Sequence, residues 1–289
     1  MAIKGKGLGK GLSACNKVMD ENFFVNCSNA GITHIEISEG RLEKSFQLPY
    51  GEIARLAEKH RVKLWSFHLP FMPFNEIDIS RKELQASTLK KLYALMEKAA
   101  AIGIKIFVIH ASGEPINDVE RKERMDCAKN SLYHLAEKAK ELGGVIAVED
   151  LPRSCLGRNS DEILELISAH KDLRVCFDTN HLLSENPIDF IRRVGDKIVT
   201  LHVSDYDTIN ERHWLPGEGC IDWQDLLKTL QEVGYDGVWL YELDYPCPKS
   251  IIRDRDLCCQ DFADNAKALF LGEKPPRFST SIANLGMWP

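Results

Sequence analysis

Short β-rich runs alternate with longer helical patterns along this whole sequence, and that alternation constrains the fold more than any single motif. The runs are residues 7–14, 33–38, 62–68, 104–110, 145–150, 173–178, 197–204 and 237–243. Helical patterns fall between or after them, at 50–60, 81–102, 119–142, 160–169, 223–233 and 260–271. Strands separated by segments of that length must pair through crossovers, so they form a parallel sheet. Eight such units predict an α/β protein, a single-domain (β/α)8 TIM barrel. The 289 residues suffice for one barrel, which takes about 250. The barrel is expected over residues 1–271. Residues 272–289 form a C-terminal extension lying on it or at a homo-oligomer contact, with Trp288 as the candidate contact residue.

Local signals set several boundaries. Ser160, ahead of Asp161 and Glu162, is the expected N-cap of its helix, and Asp222 that of the helix at 223. Gly103, Gly143 and Gly234 stand just past helix ends. The strands are apolar at both parities, as strands covered on both faces must be. With Glu149 pointing inward, Val145 and Ala147 also point inward. The same register sends Trp65, Phe67, Phe107, Ile109, Leu201, Trp239 and Tyr241 outward, and Ser66 and Thr200 inward.

In such barrels chemistry sits at the C-terminal ends of the strands. Seven of the eight runs carry a metal-binding or proton-moving residue there: Glu36, His68, His110, Glu149, Asp178, His202 and Glu242. One such residue needs no explanation beyond a polar rim. A ring of them does, because carboxylates crowded round one axis repel unless a cation sits among them. Among them, Glu149, Asp178, His202 and Glu242 are the candidate ligands of one divalent ion, a choice that rests on the family resemblance described below. Three carboxylates with one imidazole suit Mn²⁺, Mg²⁺, Co²⁺ or Zn²⁺. His181, three residues after Asp178, belongs near the same mouth.

Composition narrows the partners. A net charge of −6 lacks the basic stripe that phosphate neutralisation demands, so nucleic acid is a disfavoured partner. No apolar run approaches the roughly 18–20 residues of a membrane span. The N-terminal MAIKGKGLGKGLSA has no apolar signal core, so a cytoplasmic protein is expected. Nine cysteines without a C-x-x-C pair read as reduced thiols rather than a disulfide framework.

Four segments carry a family resemblance: Glu149-Asp150-Leu151-Pro152 with Leu156-Gly157, Phe177-Asp178-Thr179-Asn180-His181, Leu201-His202-Val203-Ser204-Asp205, and His213-Trp214-Leu215-Pro216-Gly217-Glu218-Gly219 running on to Trp223. In this order they resemble the xylose-isomerase-like superfamily, in particular the sugar phosphate isomerase/epimerase group that includes ketose 3-epimerases. The resemblance implies Glu149, Asp178, His202 and Glu242 as metal ligands and Glu149 with Glu242 as the acid/base pair. It also implies His181 as a substrate contact. Asp150 departs from the Asn common in relatives.

The expected chemistry is proton transfer beside a ketose carbonyl through an enediolate, giving a metal-dependent sugar isomerase or epimerase. His68, His110, His181, His213, Arg153 and Arg212 are the candidate substrate-binding residues. The same histidines raise an alternative, an endonuclease-IV-like multinuclear zinc phosphodiesterase, although that family's Asp-x-His becomes Glu211-Arg212-His213 here. A non-catalytic sugar-binding barrel would have no need of two acid/base glutamates. The loop at 213–219 is expected to use its glycines to approach a ligand, as a lid over the mouth.

Overall fold

Capping residues and β-branched runs divide the chain much as the pattern predicts. The computed structural model describes residues 8–15, 17–39 and 49–282. Residues 1–7, which open the basic N-terminus, and Trp288 lie outside the described residues. The first half runs β1 (Gly9–Ser13), α1 (Glu21–Ala30), β2 (His34–Ser38), α2 (Tyr50–Lys59), β3 (Lys63–His68), α3 (Gln85–Ala101), β4 (Ile106–His110) and α4 (Asp118–Glu141). The second continues with β5 (Val145–Glu149), α5 (Ser160–Ile167), β6 (Arg174–Asp178), α6 (Pro187–Val194), β7 (Ile198–His202), α7 (Trp223–Glu232) and β8 (Val238–Tyr241). A short β9 (Ile251–Arg253) precedes α8 (Cys259–Phe270), and β10 (Ser279–Ile282) pairs antiparallel with β9.

The eight strands β1–β8 are parallel and ordered 7-6-5-4-3-2-1-8. A bridge between Val203 and Tyr241 joins the two ends, with the Val203 amide donating to Leu240 at 2.8 Å. The result is a (β/α)8 TIM barrel in a single domain. No helix among the described residues is long and apolar enough to cross a membrane.

Most apolar burial lies between strands and helices. Phe67 meets Tyr50 of α2 edge-on at 6.0 Å, Trp239 meets Trp223 of α7 at 5.7 Å, and Tyr241 meets Phe262 of α8 at 5.3 Å. Each buried ring of this kind contributes about 1.5–3 kcal/mol. The interior of the barrel is filled by smaller groups, Val108, Ala147 and Cys176 with Ile106 and Val199 against them. Gly9 and Gly11 leave β1 bare because a Cβ there would lie 2.5 Å from the His34 ring or 2.7 Å from Val238.

Two local expectations are corrected. Trp65 turns inward, and its indole donates to Thr200 across the barrel at 3.0 Å. The cause is a bulge: Ile35 pairs with Leu64 but Glu36 pairs with Ser66, so Trp65 is an extra residue that resets the parity. The N-cap of α5 is Asn159, whose side chain accepts from the Glu162 amide at 3.0 Å, while Ser160 is the first helical residue and bonds Glu185. Asp222 caps α7, and Gly103, Gly143 and Gly234 take positive φ after their helices.

Candidate metal centre

Strand ends converge as the register dictates. Glu149 closes β5, Asp178 closes β6 and His202 closes β7, and Glu242 follows β8 directly. Ligand-capable atoms of these four lie within 4.8 Å of one another. His202 Nδ1 stands 3.0 Å from Glu149 Oε1 and 3.1 Å from Glu242 Oε2. His202 and Asp178 are fully buried, Glu149 nearly so, and Glu242 opens to the mouth. Asp178 Oδ1 accepts from the Asn180 amide at 2.7 Å, whereas Oδ2 is buried with no hydrogen-bond partner.

Around Glu149 stand two more imidazoles. His68 Nε2 and His110 Nε2 each lie 3.1 Å from its Oε2, and these three residues form a second ligand-capable group. Phe71 stacks on the His110 ring at 3.9 Å. A third group joins His181, Glu211 and His213. His181 lies 3.7 Å from Asp178 Oδ2 and donates Nδ1–H to the Asp150 carbonyl at 2.8 Å. His213, held at positive φ, donates from Nδ1 to the Glu242 carbonyl at 3.1 Å.

The electrostatics follow from this crowding. Burial works against the charge on Glu149 and Glu242, but His202 beside both, with His110 at Glu149, holds Glu149 well below the carboxylate range and Glu242 at about 2. Burial would depress His68, yet its bond to Glu149 lifts it to about 9. Burial pushes Asp178 up to about 6, against the pull of the His181 charge and with the charges of Glu242 and Glu149 adding to the rise. Burial, with the Asp178 charge beside it, raises Asp150 well above its usual range. Its Oδ1 accepts from the Asp178 amide at 2.7 Å.

The donor set fits a divalent ion: hard carboxylate oxygens, one imidazole nitrogen, and an orphaned Asp178 oxygen facing the cluster. Glu36, one of the strand-end residues but not one of the four candidate ligands, supports the centre from behind. Its carboxylate takes His202 Nε2 at 3.1 Å and the Ser66 hydroxyl at 2.8 Å, which leaves Nδ1 to face the cluster.

Arg153 and Arg212 are not brought to the carboxylate cluster. Arg153 pairs with Glu114 and with Glu211, the latter at 2.6 Å, and Arg212 pairs with Asp207 at 2.8 Å. The glycines of the 213–219 loop lie against the protein's own atoms. A Cβ on Gly219 would meet the Tyr206 carbonyl at 2.2 Å, and the Gly217 amide donates to Asp205 at 2.8 Å. They let the loop pack on itself.

The family's sequence profile, described as a xylose isomerase-like TIM barrel, matches residues 24–259. This chain belongs to the xylose isomerase-like TIM barrel family. An uncharacterized protein of Methanocaldococcus jannaschii is 27% identical over 197 residues, 64% of this chain and 66% of that one. Fructoselysine 3-epimerase of Escherichia coli O157:H7 is 26% identical over 119 residues, 39% of this chain and 43% of the epimerase. The chain therefore spans between two fifths and two thirds of the length of these curated relatives. Among solved structures, a D-tagatose 3-epimerase-like protein superposes with a TM-score of 0.75 at 20% identity, covering 92% of this chain and 97% of that one. That likeness shows the fold. Phosphodiester hydrolysis gains nothing from these comparisons with the xylose isomerase-like family.

Proposed function

We propose that this chain is a metal-dependent sugar epimerase or isomerase that moves a proton on the carbon beside a ketose carbonyl. The observation that carries this reading is the pair of glutamates, Glu149 and Glu242, flanking His202 Nδ1 at 3.0 and 3.1 Å in the barrel mouth. The family and its 3-epimerase relatives support the substrate class.

Glu149, Asp178, His202 and Glu242 would hold the ion. When bound, a divalent cation supplies positive charge for the carbonyl oxygen and for the enediolate that follows. Glu149 and Glu242 enter from different strands, so each can address one face of the substrate carbon. The imidazoles beside them hold both carboxylates in the ionised form that a base must have. One takes the proton as a carboxylate, and the other, after taking up a proton from solvent, returns one. Return to the opposite face inverts the centre, and return to the neighbouring carbon interconverts ketose and aldose. His68, His110, His181 and His213 line the same mouth as hydroxyl partners. Arg153 and Arg212 reach a substrate only by giving up their present ion pairs.

The test is solvent-isotope exchange with Mn²⁺-replete protein and a panel of ketohexoses and ketopentoses. Deuterium should enter at the carbon next to the carbonyl. No exchange with any of these sugars sinks the reading.

A second reading rests on one observation, the two further ligand groups at His68–His110–Glu149 and His181–Glu211–His213. If all three groups are loaded, the centre is multinuclear and suits water activation at a phosphodiester. Elemental analysis separates the two: about one ion per chain supports the sugar enzyme, and two or three zinc ions support the alternative.

A further inference from the structure

Far from the ligand cluster, α1 and α8 bring two thiols together. Cys27 in α1 and Cys259, the first residue of α8, have their sulfurs 3.8 Å apart, although 232 positions separate them in the chain. Buried cysteines in contact are ordinary core packing, but three features set this pair apart. The Tyr245 hydroxyl lies 3.1 Å from Cys259 Sγ. The Lys17 ammonium sits 4.9 Å over the Tyr245 ring, tied to the carbonyls of Ser13 and Leu243. Cys259 also lines a groove of about 680 Å³, with Lys17, Asp20, Asn26 and Tyr245 along it, while Cys27 lies behind with no exposure.

This arrangement differentiates the two sulfurs. A hydrogen bond from Cys27, aided by Tyr245 and the Lys17 charge, overcomes burial and brings the Cys259 thiol down to about 6, and the same contact pushes Cys27 up. A thiolate at a helix N-terminus beside a cation is the reactive form of cysteine. Exposed Cys258 also stands at the N-terminus of α8, as its N-cap with Arg255 beside it, so what distinguishes Cys259 is the Cys27 sulfur in contact with it.

We propose that Cys27 and Cys259 are a peroxide-reactive pair, in which Cys259 is oxidised first and Cys27 resolves it to a disulfide tying α1 to α8. In the first step the Cys259 thiolate attacks one peroxide oxygen. An S–O bond forms, the O–O bond breaks, and the departing hydroxide takes up a proton to become water. In the second step Cys27 sulfur attacks the sulfenic sulfur. An S–S bond forms, the S–O bond breaks, and hydroxide leaves with the Cys27 proton as a second water. Two thiols lose two electrons and two protons, and one peroxide becomes two waters. The link costs Tyr245 its sulfur partner, in a loop where Tyr245 follows Glu242 by three residues.

The experiment treats the reduced full-length protein with one equivalent of hydrogen peroxide near neutral pH. Remaining thiols are then alkylated in denaturant, and a non-reduced digest is mapped by mass spectrometry. A Cys27–Cys259 linked peptide pair, two hydrogens lighter than its parts, should form about tenfold faster than oxidation at Cys220. Cys27→Ala should leave a Cys259 sulfenic acid that dimedone traps. Recovery of Cys27 and Cys259 fully alkylated while Cys220 and Cys258 are oxidised overturns the proposal. So does a digest in which Cys259 is found bonded only to another cysteine.

Discussion

Two groups of carboxylates, Asp205 with Glu218 after β7 and Glu149, Asp178 and Glu242 at the strand ends, are treated differently by the protein. At Asp205 every oxygen is taken by a donor: Oδ1 by the amides of Tyr206 and Ile221, Oδ2 by the Gly217 amide and the Trp223 indole. Glu218 is held likewise by Arg253, at 2.6 Å, and by the amides of Leu215 and Ser279. At Asp178, by contrast, one oxygen has no partner, and Glu149 and Glu242 face imidazoles and one another. Burial of charge is common to both groups. Completion by the chain's own donors is what separates a structural carboxylate from one kept for a ligand.

The sharpest break in that comparison is a pair of isosteric changes at the second group. Glu149→Gln or Glu242→Gln should lower turnover by about 10²–10⁴-fold while the unfolding midpoint holds, as steady-state rates and calorimetry would register. The mirror experiment is Arg253→Met, which strands Glu218. It should cost about 3–5 kcal/mol in denaturant unfolding and leave metal affinity unchanged. Equal damage to metal affinity would show that the two groups are not separable.

Glu36→Gln probes the link from carboxylate to imidazole to cation. Titration calorimetry should find Mn²⁺ affinity down about 10–100-fold, because His202 loses the partner that orients it. A pH series sharpens the point further. Asp178 is raised to about 6 in the folded chain, first by burial. A carboxyl raised above its unfolded value stabilises the metal-free fold below that range and ceases to do so as pH rises through it. Since a cation competes with that proton, the gain in unfolding midpoint on adding Mn²⁺ should be smaller near about pH 5 than near about pH 7.5. A pH-independent gain would place Asp178 outside the site. The smallest effect belongs to Asp150→Asn, an isosteric change at a buried carboxyl whose pKa is raised, which should shift stability by no more than about 0.5 kcal/mol.

The barrel was legible because each strand is an apolar run closed by a polar residue, and that same signal placed Glu149, Asp178, His202 and Glu242 at one mouth. Other features were not legible, each for a physical reason. α1, built from ENFFVNCSNA, and α6, with PIDFIRRV, have little intrinsic helix preference and form through packing and capping by Asp20 and Asn186. The inward turn of Trp65 depends on a one-residue bulge that no periodicity reveals. The grip of Glu36 on His202 spans the barrel from β2 to β7, a relation between distant strands that only closure creates. Arg153 and Arg212 look available in sequence because their acidic partners, Glu114 and Asp207 among them, are not marked as such there.

The junction of β7 with β8 has a consequence for motion. It is held by the Val203–Tyr241 bridge, and His202 and Glu242 stand next in sequence to those two residues. A cation shared by them would work as a clasp across the seam where the ladder is shortest. Opening should begin there, so the amides of Val203 and Glu242 should exchange with solvent early in the metal-free protein and slow together once the ion is bound. Keeping the barrel round and keeping its reactive carboxylates in register would then be a single equilibrium, set by the concentration of one ion.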